Sequence, residues 1–288
     1  MGSWTNIQWT DATWNPVRGC SRVSPGCDHC YAERIATRFS GLGKPYEGFA
    51  KWVHGAPHWT GKVELIESAL FLPLGWKHPR RVFVNSMSDL FHEALPDAAI
   101  DRVFDVMALT PQHRFQVLTK RVARMGTYLN DAGVRHLGLP WPWPMPNVWF
   151  GVSVENRAAL SRLDDLRACR AAVRFVSFEP LLESLGRVDL TGIHWVIAGG
   201  ESGPGARPMQ LDWARSVRDQ CRAAGVPVYM KQLGAKPFGM TDRISYSGNK
   251  EWMPDGYYRF LNDRKGGDPE EWPEDLRIRE FPDNGEPL

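Results

Sequence analysis

His194-Trp195-Val196-Ile197-Ala198-Gly199-Gly200-Glu201 is the stretch on which the fold turns. An unbroken apolar run ends abruptly in two glycines and an acid. A strand with one face in water alternates polar and apolar residues, whereas continuous apolarity at strand length predicts a strand covered on both faces, as in a parallel sheet. Working outward, the same signature recurs at residues 81–84, 115–118, 148–152, 173–178 and 226–230. Stretches with helical spacing separate these runs. Ile100, Val103, Phe104 and Met107 share a face within 96–109, and Pro96 suits the first turn. Asn156 is placed to cap a helix in which Leu160 and Leu163 share a face. Within 211–224, Trp213, Val217 and Cys221 follow at four-residue steps, and Gly225 with Pro227 closes that helix. This alternation predicts an α/β chain, a partial or complete (βα) barrel.

The residues just beyond each run carry more than the run itself. After Val84 come Asn85, Ser86 and Asp89; after Leu118 come Lys120 and Arg121. Ser153 and Glu155 come after the next run, and Ser177 with Glu179 closes the one after. Gly199, Gly200 and Glu201 end the opening stretch, and Lys231 and Gln232 end the last. The C-terminal ends of barrel strands share the face on which active sites are built. If strands merely ended in polar residues, their N-terminal ends would be loaded alike, and those carry only Arg81, Arg174 and His194.

Composition excludes several classes. The net charge is +2, from 35 Lys plus Arg against 33 Asp plus Glu, so the chain as a whole is no strong polyanion binder. No apolar run is long enough to span a membrane, and the first residues lack a basic segment followed by an apolar one. A cytoplasmic protein is expected. Residues 1–234 read as the barrel with its N-terminal loop, and 235–288 as an irregular extension packed on it. Trp252, Tyr257, Tyr258 and Trp272 are its candidate anchors. Residues 139–146 alternate Pro with Trp, Leu or Met, and read as a rigid extended loop.

Three of the 5 Cys lie between positions 20 and 30, in Gly19-Cys20-Ser21-Arg22-Val23-Ser24-Pro25-Gly26-Cys27-Asp28-His29-Cys30-Tyr31-Ala32. In a reducing compartment such crowding reads as metal binding rather than a disulfide frame. The spacing of Cys27 and Cys30 lets two thiolates face one centre, and Gly19, Pro25 and Gly26 supply turns that bring Cys20 to it. A helix from Glu33 would help to hold the thiolates deprotonated. Three Cys can hold a cubane with one iron left open. They can also hold zinc with His29 as the fourth ligand, although a residue inside so short a spacing turns away more easily than toward the metal. Cys169 and Cys221 read as core residues.

Cys27-Asp28-His29-Cys30-Tyr31-Ala32 resembles the end of the cluster loop of radical S-adenosylmethionine (SAM) proteins, where the third Cys is commonly followed by Tyr and a small residue. The wider chain is similar to a phage-associated family of three-cysteine-motif, radical-SAM-like proteins catalogued as a domain of unknown function. The matching stretches are Trp9-Thr10-Asp11-Ala12-Thr13-Trp14-Asn15-Pro16, Val84-Asn85-Ser86-Met87-Ser88-Asp89-Leu90-Phe91, Leu118-Thr119-Lys120-Arg121, Gly151-Val152-Ser153-Val154-Glu155-Asn156, Ser177-Phe178-Glu179-Pro180-Leu181-Leu182 and Gly199-Gly200-Glu201-Ser202-Gly203. The resemblance implies a [4Fe–4S] cluster on Cys20, Cys27 and Cys30, with SAM held by its amino and carboxylate groups on the open iron. Reductive cleavage of SAM would give a 5′-deoxyadenosyl radical. It further implies that the backbone at His29 approaches the adenine, that Ser153 and Glu155 meet the ribose, and that Gly199 and Gly200 pass close to the adenosine. Asn85, Ser86 and Asp89 stand where such proteins commonly carry Gly-Gly-Glu for the SAM amino group, and the Cys20–Cys27 spacing is longer than usual.

The expected function is therefore a radical SAM-type enzyme that modifies or repairs a nucleotide or nucleic-acid base. Lys120, Arg121 and Lys231 are the cations that would meet phosphates, or else pair with Glu155, Glu179 and Glu201. Asp89, Glu179, Glu201 and Gln232 complete the substrate or catalytic candidates. An external electron donor and a separate partner protein are expected, and no membrane. The alternative is a non-catalytic nucleic-acid or protein-binding module stabilised by a cluster or zinc. A metal-independent hydrolase finds no nucleophile elbow or phosphate loop. His92-Glu93 opens like a zincin motif, but Pro96 intervenes and Asp97 stands where the second His belongs.

Overall fold

A computed structural model describes residues 5–135, 142–239, 252–253, 256–257 and 261–282. Seven parallel strands form its main sheet: β1 (Ala12–Trp14), β2 (Arg81–Val84), β3 (Arg114–Thr119), β4 (Val148–Ser153), β5 (Val173–Phe178), β6 (Trp195–Gly199) and β7 (Val228–Gln232). Their order in the sheet is their order in the chain. Successive parallel strands, joined through helices except between β5 and β6, make the α/β, partial (βα) barrel class that the apolar runs predict. Every residue of β4 and of β6 is buried, which is why those runs do not alternate.

The helices that concern the site are α1 (Tyr31–Arg38), α2 (Asp97–Leu109), α3 (Val122–Arg135), α4 (Arg162–Ala168) and α5 (Leu211–Ala224). In α2 the predicted face is buried at Ile100, Val103, Phe104 and Met107, and Pro96 is the extended residue before the first turn rather than part of it. Asn156 caps a short 3-10 turn at Arg157–Ala159, its Oδ1 accepting from the Ala159 N–H at 3.1 Å. Leu160 ends that turn, so α4 starts later than the spacing of Leu160 and Leu163 predicts. Gly225 ends α5 in the left-handed region, as expected.

By contact the chain divides into two compact units. The first comprises Met1–Val152 and Arg162–Arg174, and the second Ser153–Ser161 and Phe175–Glu286. In the first, β1, β2, β3 and β4 pair in parallel register, with Trp14 opposite Val84 and Val84 opposite Val117. Its core stacks Phe104 on Phe150 at 5.9 Å and tilts Phe115 against Trp14 at 5.6 Å. An antiparallel hairpin, Ala50–Val53 with Ala56–Trp59, packs against α1. In the second unit, β5, β6 and β7 pair in parallel, with a register shift after Ala198. Residues 261–282 add onto β7: the Met230 N–H donates to the Ile278 carbonyl at 2.8 Å, and Phe281 stacks on Trp195 at 5.4 Å. Trp272, one of the expected anchors, is buried and donates its indole N–H to the Gly266 carbonyl. The side chains of Trp252, Tyr257 and Tyr258, and residues 139–141 of the Pro-Trp stretch, lie outside the described residues. In the described part of that stretch, Trp143 tilts against Phe104 at 5.9 Å and Met145 is buried.

Candidate metal centre

The three clustered cysteines occupy the loop that leads from β1 into α1, in the first unit. Gly19 sets its course: φ is +89°, and a Cβ there would lie 1.9 Å from the Lys62 carbonyl oxygen, so only glycine fits. Cys27 closes a 3-10 turn over Pro25–Cys27, its N–H donating to the Ser24 carbonyl at 2.8 Å. Cys30 follows as the N-cap of α1, with no side-chain capping hydrogen bond. His29 lies half-buried between those two cysteines. All three thiols are free and half-buried. Cys20 and Cys27 both sit near enough to Cys30 to interact with it electrostatically.

The helix start and two cations, Arg121 beside Cys20 and Lys120 beside Cys30, favour thiolate as the spacing predicts. Burial outweighs them. It pushes the Cys20 thiol up to about 12, with Asp89 adding to the rise, and it raises Cys30 as well. Without metal both sulfurs are protonated at neutral pH, so a metal must displace protons to bind.

The loop is gripped from two sides. On one, Arg22 donates to the buried Glu33 carboxylate, Nη2 to Oε2 at 2.7 Å and Nε to Oε2 at 3.0 Å, and the Trp59 N–H donates to Oε1 at 2.8 Å. On the other stands a polar cluster at the ends of β2 and β3. Asp89 accepts from the Thr119 hydroxyl at 2.7 Å, from the Phe91 N–H at 3.0 Å and from Arg121 Nη1 at 3.0 Å. Arg121 also reaches Glu93 through Nε at 2.8 Å, and the Ser21 carbonyl and hydroxyl through Nη2 at 3.0 and 2.8 Å. His92 is buried, and its Nδ1 accepts from the Ala94 N–H at 3.1 Å. The remaining ring proton is thereby placed on Nε2, which donates to Ser21 Oγ at 2.8 Å. Burial and the Arg121 charge lower the pKa of His92, which keeps it in this neutral form.

Asn85 follows β2 with φ at +59°, a conformation Asn tolerates better than other side chains. Its Oδ1 accepts from the Val17 N–H at 3.2 Å, while its Nδ2, buried with the rest of the residue, has no hydrogen-bond partner. A buried amide N–H without an acceptor costs about 1–3 kcal/mol, a cost that a ligand accepting from it would remove. Beside it, Asn15 accepts from the Ser86 hydroxyl and the Met87 N–H.

The second unit carries its own strand-end set. Lys231 Nζ donates to Glu179 Oε1 at 2.6 Å, and Gln232 Nε2 to the Gly200 carbonyl at 2.9 Å. Glu201 is buried and accepts from the Arg207 backbone and side chain. Ser153 and Glu155 are buried after β4, where Leu182 N–H donates to the Glu155 carbonyl. Gly200 has a structural reason of its own: a Cβ there would lie 2.3 Å from the Leu233 carbonyl oxygen. Arg121 pairs with Asp89 and Glu93, and Lys231 with Glu179, so of the three cations expected to meet phosphates two are held by carboxylates.

Asn15, Ser21, His92, Glu93 and Arg207 were not among the residues singled out from sequence as site residues. His92 and Glu93 drew notice only as half of a metalloprotease motif, and they belong instead to the cluster around Arg121.

Residues 4–255 match a family described as protein of unknown function (DUF5131). The chain belongs to that family. The DUF5131 description assigns no reaction. No curated protein matches. Among solved structures, a mutant spore photoproduct lyase is similar at 11% identity and a TM-score of 0.41, over 91% of this chain and 72% of that one. So distant a likeness carries no inference about this DUF5131 chain.

Proposed function

We propose that the chain is a radical SAM-type enzyme whose Cys20, Cys27 and Cys30 hold a [4Fe–4S] cluster, acting on a nucleotide or nucleic-acid base. The observation that carries the reading is the donor set together with its surroundings. Three free thiols lie on one loop, and Asn85, bonded to Val17 at the start of that loop, holds an unsatisfied buried amide N–H. The fit is chemical: thiolates are the usual ligands of iron–sulfur clusters, and three of them leave one iron for a non-protein ligand. Among the described residues no three His, Cys, Asp or Glu side chains converge as a single ion would require. When bound, the cluster supplies an electron for reductive cleavage of SAM.

The chain's own residues do the rest. Asn85 offers Nδ2 to an acceptor such as a SAM carboxylate, and Ser86 and Asn15 hold the turn that presents it. Asp89 fixes Arg121 in place through an ion pair at 3.0 Å. The base-modifying part of the reading is motivated by the resemblance to phage-associated proteins, and an external electron donor is required.

Anaerobic reconstitution with iron and sulfide, then electron paramagnetic resonance with and without SAM, tests the proposal. Close to four irons per chain and a reduced-cluster signal that changes on adding SAM are expected. Zinc in place of iron, or a cluster indifferent to SAM, would favour a metal-stabilised binding module.

A further inference from the structure

Arg121 is buried, with its side chain 4% exposed, and its guanidinium is engaged on all sides. Its own N–H donates to Thr119 Oγ1 at 2.8 Å, which starts the side chain from the end of β3. Nη1 bonds Asp89 at 3.0 Å and stands 3.9 Å from the Cys20 sulfur, while Nη2 holds both oxygens of Ser21. The planar fork thus has one edge fixed on the strand end and the other on the main chain immediately after Cys20. His92 adds a second donor to the same Ser21 hydroxyl.

We infer that Arg121 is the positioning residue of the cysteine loop, and that its N–H and charge beside Cys20 raise the reduction potential of an iron–sulfur group bound there. The inference rests on the cluster reading. A reduced cluster carries one more negative charge than an oxidised one, so a fixed cation and an N–H donor at a ligand sulfur favour the reduced state. Lysine would keep the charge, but it has no planar fork to grip Ser21 and Asp89 together. Glu93 also holds the guanidinium through Nε at 2.8 Å, but its side chain is 67% exposed, so its loss should matter less than that of Arg121 itself.

The test compares wild type, Arg121→Lys, Arg121→Met, Ser21→Ala and Glu93→Gln. Amide exchange at residues 20–23 is read in the iron-free proteins, and iron content and midpoint potential in the reconstituted ones. Arg121→Lys and Arg121→Met are expected to speed exchange about tenfold or more, to retain less iron, and to shift the potential to more negative values. Arg121→Met should shift it furthest. Ser21→Ala is expected to speed exchange with a smaller change in potential, and Glu93→Gln to change both less than Arg121→Lys does. Wild-type exchange and potential in Arg121→Lys would overturn the inference. Should the Arg121 variants not fold, unchanged exchange in Ser21→Ala would overturn it instead. A wild type that takes up no iron would remove the cluster reading and the effect on potential with it, while the exchange comparison still decides the clamp.

Discussion

At the scale of single residues, Gly19 does what no other residue could at its position. Alanine there meets both a left-handed backbone, costing about 1–2 kcal/mol, and the Lys62 carbonyl. Gly19→Ala is expected to lower unfolding stability by at least about 2 kcal/mol in denaturant titrations and to reduce iron retention. Cys221 gives a prediction far from the loop. Burial lifts its thiol from the ordinary 9.0 to about 12, with Glu280 adding to the rise. The folded state therefore keeps a proton that the unfolded chain gives up above pH 9. Its stabilising contribution is complete below pH 9 and is lost as pH rises toward 12, at about 1.4 kcal/mol per pH unit. Cys221→Ala should flatten that part of the stability profile; an unchanged slope would show that other groups set it. The site was legible where chemistry repeats a spacing, as at Cys27 and Cys30. Ser21, His92 and Arg207 escaped because their roles come from contacts with residues distant in the chain or from a turn no spacing announces.

At the scale of elements, α1 is anchored by one carboxylate. Glu33 is 1% exposed and joins Arg22 to the hairpin through the Trp59 N–H. Glu33→Ala should cost about 2–4 kcal/mol, the lower part of that range reflecting the partly exposed Arg22. It should also speed amide exchange at residues 50–59. Equal exchange in wild type and variant would mean the hairpin stands without that link. Asn156→Ala removes a cap and is expected to cost about 1 kcal/mol, read from thermal unfolding. The six buried strands announced themselves because burial on both faces leaves no alternation to misread, and their ends fall within two residues of those predicted. β1 is too short to form a run, and Asn15-Pro16 stops it. The start of α4 was misplaced because Leu160 is apolar at the right interval yet belongs to the preceding 3-10 turn.

At the scale of the whole molecule, a group that binds the folded loop and not the unfolded chain adds to stability by mass action. Reconstituted protein should therefore melt above iron-free protein, and replacing Cys20, Cys27 and Cys30 together should erase the difference. Because Cys20 and Cys30 are held protonated, iron uptake should release protons and strengthen as pH rises, measurable in weakly buffered solution. The same two buried thiols have a consequence for handling in air. Peroxide and alkylating reagents attack thiolate, not thiol, and sulfenic acid forms most readily at exposed sulfurs of low pKa. The iron-free loop is thus chemically quiet at Cys20 and Cys30, so protein purified aerobically should keep both sulfurs intact until a metal arrives to ionise them.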